Sequence, residues 1–281
     1  RAPPPDCNPR SGRLGRTLNS ARFSLLTLNS WKCDGHYAQR MALLAEGVID
    51  LAPDVVALQE AFVAEDGSAD TAGLLAAATG LCAVQALARP KVRSLAGREL
   101  PSFSGQAVLT HWPVQRTDNV ALPSSEADGG RMAQVVQLIV DSHVITVANV
   151  HLSHVRGDAG DALRQRQLQA LLVHLAQIGP ASLTLVCGDF NDPLEAPALR
   201  TFAGAPWHLK DSFELALQPR EPTCVDATGH GLVLDHVLVV PSLSRATVQM
   251  TAATVLRVDR PDARGITPSD HSGLQVTLRL S

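Results

Sequence analysis

Leu183-Thr184-Leu185-Val186-Cys187 is an apolar run that ends in Gly188-Asp189-Phe190-Asn191-Asp192-Pro193. So short a run of leucine and β-branched residues reads as a strand buried on both faces, broken by Gly188. Residues i and i+2 of an extended segment point the same way. Asp189 and Asn191 therefore aim a carboxylate and an amide into one cavity, while Phe190 turns back into the core. Taken alone, the segment is equally a strand closing in a polar turn, because Asp and Asn are ordinary turn residues.

Other strands finish in the same chemical way. Arg22–Asn29 reads as a strand ending in Asn29, and Asp54–Glu60 as a buried strand ending in Glu60. Arg131–Val140 and Val144–Val150 read as a hairpin around Asp141-Ser142-His143, and the second strand leads into His151. Val233–Val240 carries Asp235 and His236. The last strand, Leu274–Leu280, is preceded by Asp270 and His271. Helical spacing predicts helices over His36–Leu51, stopped by Pro53, over Thr71–Gly80, and over Leu163 to Ile178. Residues 81–89 and Arg245–Arg257 are β-rich. Pro90–Ser104 reads as an irregular loop carrying Lys91, Arg93 and Arg98, either a solvated surface loop or a phosphate-steering one.

With 281 residues, 45% of them hydrophobic, the chain can bury one large α/β or β-sandwich core. The formal charge of -3 excludes a protein that coats nucleic acid by global charge, but not a local grip on a few phosphates. Five cysteines at irregular spacing, without a CxxC pair, make neither a disulfide framework nor a zinc site. No apolar run is long enough to cross a bilayer. Residues 1–20, rich in Pro and Arg, are expected to form a flexible arm before one catalytic domain over 21–281. The expectation is a soluble monomer, cytoplasmic or exported if a signal segment was removed.

Asn29, Glu60, His151, Asp189, Asn191, Asp235, Asp270 and His271 thus sit at or beside strand ends. Four carboxylates and two histidines converging on one site would repel one another. A hard divalent cation bound by carboxylate and amide oxygens is the usual remedy. The lack of Cys or paired-His spacing favours Mg²⁺ or Mn²⁺ over zinc.

Seven pieces occur in order between residues 22 and 280: Thr-Leu-Asn29-Ser-Trp, Leu-Gln-Glu60, Ser-Gly-Gln-Ala-Val-Leu-Thr, Asn-Val-His151-Leu, Gly-Asp189-Phe-Asn191, Leu-Asp235-His-Val-Leu-Val and Ser-Asp270-His271. Together they resemble the endonuclease/exonuclease/phosphatase superfamily of deoxyribonuclease-I-like enzymes. The resemblance implies an α/β fold, a two-layer β-sandwich flanked by helices in four α/β/β/α layers. It implies a Mg²⁺-dependent phosphodiesterase using metal-assisted water attack. Glu60 would be the principal metal ligand, supported by Asn29 and Asp270. Asp189 would orient or deprotonate the water, and Asn191 would hold that water and a phosphoryl oxygen. His271, held by Asp235, would donate to the phosphate. His151 would stabilise the same charge from the other side or protonate the leaving oxygen.

Weaker candidates for substrate contact are His154, Arg156, Arg131 and Trp31. Surface or packing roles are the simpler reading for His154, Arg156 and His236, and core packing for Trp31 and Trp207. The family acts on DNA, RNA, protein–DNA adducts, inositol phosphates and sphingomyelin, and motifs alone do not choose among them. Nucleic acid is the preferred expectation, a lipid or small-molecule phosphoesterase the same-class rival, and an inactive binding module the rival of another class.

Overall fold

A computed structural model describes residues 22–126, 128–226 and 228–280; the arm expected over residues 1–20 lies outside the described residues. In the first half, β1 (Arg22–Asn29), α1 (Tyr37–Leu51), β2 (Val55–Ala64), α2 (Thr71–Thr79), β3 (Cys82–Leu87), β4 (Lys91–Leu95) and β5 (Arg98–Thr110) follow one another. Next come β6 (Val114–Leu122), β7 (Arg131–Val140), β8 (His143–His151), α3 (Asp158–Ile178) and β9 (Leu183–Asp189). The short β10 (Lys210–Asp211), β11 (Cys224–Val225) and β12 (Gly231–Leu232) lead to β13 (Asp235–Val239), β14 (Val248–Val255) and β15 (Gly273–Leu280).

Apart from β11 and β12, which pair only with each other, these strands form two facing sheets, ordered β14-β15-β1-β2-β5-β3 with β4 also on β5, and β10-β13-β9-β8-β7-β6. Each sheet holds one parallel pair, β1–β2 and β8–β9, and each pair is joined through a helix, α1 or α3. That is the crossover parallel strands require.

Alternation along the strands builds the layers. Phe23 and Leu25 of β1 point between the sheets, against Val147 and Leu185, whereas Leu26 and Leu28 pack outward on Met41, Leu44 and Leu75 of the first two helices. On the opposite side, Val186 and Val150 meet Leu168, Leu171 and Leu172 of α3. The result is a helix-sheet-sheet-helix stack, as the sequence resemblance implied. Each fully buried Leu, Val or Phe contributes about 1.5–3 kcal/mol.

Toward one end the inter-sheet core turns polar. Gln59 donates to Asn149 Oδ1 at 2.7 Å and to Thr27 Oγ1 at 3.0 Å, and Asn149 Nδ2 donates to the Leu58 carbonyl at 2.8 Å. These amides tie the sheets together where apolar packing gives way to the site.

Several expectations need correction. Pro90–Ser104 is not an irregular loop but β4 and the first half of β5, because Lys91–Leu95 pairs antiparallel with Arg98–Ser102. β6 carried no recognisable pattern; its outer positions are mostly exposed. Glu60 does not end its strand: β2 runs on to Ala64 through a register shift between Leu58 and Ala61. Gly188 does not break β9, which continues to Asp189. A Cβ there would lie 2.0 Å from the Val150 carbonyl oxygen, and φ is 137°, so only glycine lets β9 approach β8 this closely. Cys33, Cys187 and Cys224 are free thiols, and Cys82 is disulfide-bonded. Burial pushes the Cys187 thiol up to about 12, in keeping with a small packing residue.

Candidate active site

β13, β9 and β8 run in a register that pairs Asp189 with Asp235 on one side and with His151 on the other. Three titratable residues, Asp235, Asp189 and His151, therefore stand in one row across three strands. Asp189 is 1% exposed, and each of its oxygens accepts one hydrogen bond. Oδ2 accepts from Asn29 Nδ2 at 3.0 Å and Oδ1 from the Asn191 backbone amide at 2.8 Å. His151 Nε2 lies 3.5 Å and His271 Nε2 3.9 Å from Oδ2. Asn191 adopts φ 55°, and its Nδ2 donates to the Leu152 carbonyl at 3.1 Å. Phe190 faces away into the core, edge-on to His236.

The two histidines are set in opposite states. Burial alone would lower the pKa of His271, but Asp235, 2.8 Å from Nδ1, and then Asp189 override it and hold the ring well above its ordinary value. His271 is an imidazolium at neutral pH. For His151, burial and then the cations of Arg131 and His271 keep the pKa well below its ordinary value, so the ring is neutral.

Glu60 stands opposite. Its backbone occupies the left-handed region at φ 55°, inside the irregularity where Gln106 of β5 faces both Gln59 and Glu60. Such a bulge re-aims a side chain, and here it turns the carboxylate toward the site, 3.9 Å from His151 Nδ1 and 2.9 Å from Lys32 Nζ. Burial raises the Glu60 pKa, opposed by Lys32 and reinforced by Asp189 and Asp270. Burial likewise raises Asp270, against the pull of His271. Ser269, the residue before it, donates to the Asn29 carbonyl at 2.6 Å and so joins the two segments.

The donor chemistry fits a hard divalent cation. Two desolvated carboxylates, Glu60 and Asp270, face Asp189 with a lone lysine among them, and an oxygen-coordinated cation would lower the cost of ionising all three. The tightest acid–imidazole cluster is a different one, Asp189, Asp235 and His271, whose ligand atoms lie within 4.8 Å of one another. There the imidazolium already supplies positive charge between the carboxylates, which makes it the poorer place for a metal.

A cavity of about 500 Å³ opens over these groups. Asn29, Glu60, His151, Asp189, Asn191, Asp270 and His271 line it; Asp235 stands behind His271. Of the weaker candidates, Trp31, Arg131 and His154 line the cavity, with Arg131 bonded to Asp128 at 2.9 Å and to His154 Nδ1 at 2.8 Å. Arg156 does not line it; Nη1 donates to the Asn191 carbonyl at 3.3 Å and supports that turn. Arg98 is also elsewhere, paired with Asp66. Trp207 packs beside the α3 core, and buried His236 donates from Nε2 to the Asp192 carbonyl, so both are structural.

Sequence reasoning missed Lys32, Arg89 and Arg40. Lys32 lies three residues after Asn29, and that proximity was the one signal in the sequence. Arg89 lines the cavity from beyond β3. Arg40, 1% exposed, donates to the carbonyls of Ser30, Trp31, Lys32, Asp34 and Pro268. It thereby fixes both the Asn29 turn and the approach to Asp270, and its guanidinium lies 4.8 Å from the Trp31 ring centre. A charged residue on the buried face of α1 is indistinguishable in sequence from a solvated one.

The endonuclease/exonuclease/phosphatase family model matches residues 26–271. No curated protein matches the chain in sequence. Among solved structures, a humanized D. rerio TDP2 carrying 14 mutations superposes with TM-score 0.68 at 17% identity, over 92% of this chain and 98% of that one. The endonuclease/exonuclease/phosphatase of Beutenbergia cavernae gives TM-score 0.70 at 20% identity, over 93% and 72%. The family protein from Leptotrichia buccalis gives 0.68 at 15%, over 90% and 98%.

Proposed function

Because the chain belongs to the endonuclease/exonuclease/phosphatase family, we propose that it is a Mg²⁺-dependent phosphodiesterase, able to use Mn²⁺, acting on nucleic acid through a single domain over residues 21–281. That it is a phosphoric ester hydrolase follows from the family; the metal, the substrate and the residue roles are the proposal. The observation that carries it is the row His151–Asp189–Asp235, with His271 bridging the two aspartates and Glu60 and Asp270 facing them.

Glu60, Asn29 and Asp270 would hold the cation, which when bound supplies Lewis-acid polarisation of a phosphoryl oxygen. Asp189 accepts the proton of a water held between it and Asn191; its raised pKa makes it a stronger base than a free carboxylate. His271 donates from Nε2 to the phosphoryl oxygens, and its positive charge, maintained by Asp235, stabilises the anion that builds there. His151, neutral, serves as a hydrogen-bond donor to the same phosphate. No covalent nucleophile is required.

Nucleic acid is favoured by the local concentration of cations at the cavity, where Lys32, Arg89, Lys91, Arg93 and Arg131 gather on a chain of net charge -3. The test is a panel of plasmid DNA, single strands, sphingomyelin, inositol polyphosphates and bis-p-nitrophenyl phosphate, with Mg²⁺ and with EDTA. Metal-dependent cleavage of the nucleic acids is expected. Cleavage of lipid or inositol phosphate alone would move the chain to the small-molecule branch, and activity on none would make it a binding module.

A further inference from the structure

The cations at the cavity divide into two sets. Lys32 is paired with Glu60 at 2.9 Å and Arg131 with Asp128 at 2.9 Å. No carboxylate of the described residues forms an ion pair with Arg89, Lys91 or Arg93, although all three line the same cavity. Lys91 and Arg93 are i and i+2 on β4, so they share the face turned inward, while Val92 between them points out at 65% exposure. Arg93 is oriented by neutral oxygens, Ser102 Oγ at 3.1 Å and Ser104 Oγ at 2.8 Å, which fix its guanidinium without neutralising it. Arg89 lies against Gly129, where a Cβ would come 2.7 Å from its Nη2. The bare backbone there gives the guanidinium its room.

We propose that Arg89, Lys91 and Arg93 form a second anion subsite, which takes a phosphate next to the one being cleaved. The proposal rests on the phosphodiesterase reading above and sharpens its substrate: one that carries at least two phosphates in sequence. Partial burial lowers the Lys91 pKa, and the like charges of Arg89, Arg93, Lys32 and Arg131 lower it further. A phosphate among them would relieve that repulsion, and the fork of Arg93 suits its oxygens. Solvated surface cations, the ordinary reading of such side chains, do not account for three converging on a concave wall beside a carboxylate-lined floor.

The experiment compares two ligands in EDTA, so that turnover is absent: a thymidine dinucleotide, with one phosphate, and its 5′-phosphorylated form, with two. Wild-type protein is expected to bind the two-phosphate form about tenfold tighter or more, a difference worth about 1.4 kcal/mol. In the Arg89→Ala/Lys91→Ala double variant that ratio should fall toward one. Added salt should also weaken binding less in the variant than in wild type, because fewer charges are left to screen. Far-UV circular dichroism checks that the variant is folded. A wild-type ratio near one, or a ratio unchanged in the variant, overturns the subsite. Inositol 1,4-bisphosphate against inositol 1-phosphate gives the second arm: a matching preference assigns the subsite to phosphate on any carrier, and its absence assigns it to the nucleotide chain. The two proposals fail separately. Expected binding without cleavage of any nucleotide would sink the phosphodiesterase reading and leave the subsite. Cleavage without preference for the added phosphate would do the reverse.

Discussion

His271 and Asp235 share a 2.8 Å hydrogen bond from a loop on one sheet to a strand of the other, and the charges of Asp235 and Asp189 together outweigh burial and hold the His271 pKa well above its ordinary value. Asp235→Asn removes the nearest negative charge while keeping the volume. The His271 pKa should then drop, and the alkaline limb of kcat/KM should move to lower pH. The sign follows from the charge: less negative potential means the proton leaves earlier as pH rises. An alkaline limb unmoved by the substitution would take His271 out of the protonation step.

Asp189 is held on all sides by Asn29, Asn191 and the two histidines. Asp189→Asn should therefore leave the fold intact and cut kcat by orders of magnitude, because the proposed acceptor of the water proton would be gone. Turnover and thermal unfolding measured on one preparation separate the two effects. A rate near wild type would end its assigned role.

Glu60→Gln keeps the shape of the bulge but halves the ligand charge that Glu60 and Asp270 offer a cation. The Mg²⁺ concentration for half-maximal activity should rise well above that of wild type. A coincident metal titration would mean that the cation is bound elsewhere.

Arg40 satisfies five backbone carbonyls around the site. Lysine keeps the charge but cannot reach them all. Arg40→Lys should lower stability by about 2–4 kcal/mol, since each unsatisfied buried acceptor costs about 1–3 kcal/mol before water enters. Denaturant melts give the stability change, and proteolysis should cut within 30–36 first. A melt like that of wild type would show that the turn holds itself.

His236 is buried, and its pKa is lowered to about 4 by desolvation. The unfolded chain binds this proton near the ordinary histidine value, so between about 6.5 and about 4 the unfolded state holds more protons than the folded one. Stability is lost as pH falls through that window, by a few kcal/mol at most. In His236→Gln the loss over the same range should be smaller, as read by unfolding at a series of pH values. Parallel curves would assign the acid sensitivity to other groups.

Local pattern was enough to place the strands that carry Asn29, Glu60, Asp189 and Asp235, the helices between them, and the chemical type of the site. Apolar runs and helical spacing are signals confined to neighbouring residues, and several polar residues recurring beside buried runs pointed to one site where any single one reads equally as a turn. The alignment of Asp235, Asp189 and His151 in one row across β13, β9 and β8 came from the folded molecule, because register between strands distant in the chain is set by packing across sheets. Folding also turned Lys91 and Arg93 inward and buried Arg40, since a cation's spacing is the same whether water, a carbonyl or a phosphate awaits it. The bulge at Glu60 belongs to the same class: a single extra residue against β5 leaves the hydrophobic pattern of β2 unchanged, yet it decides where the carboxylate points.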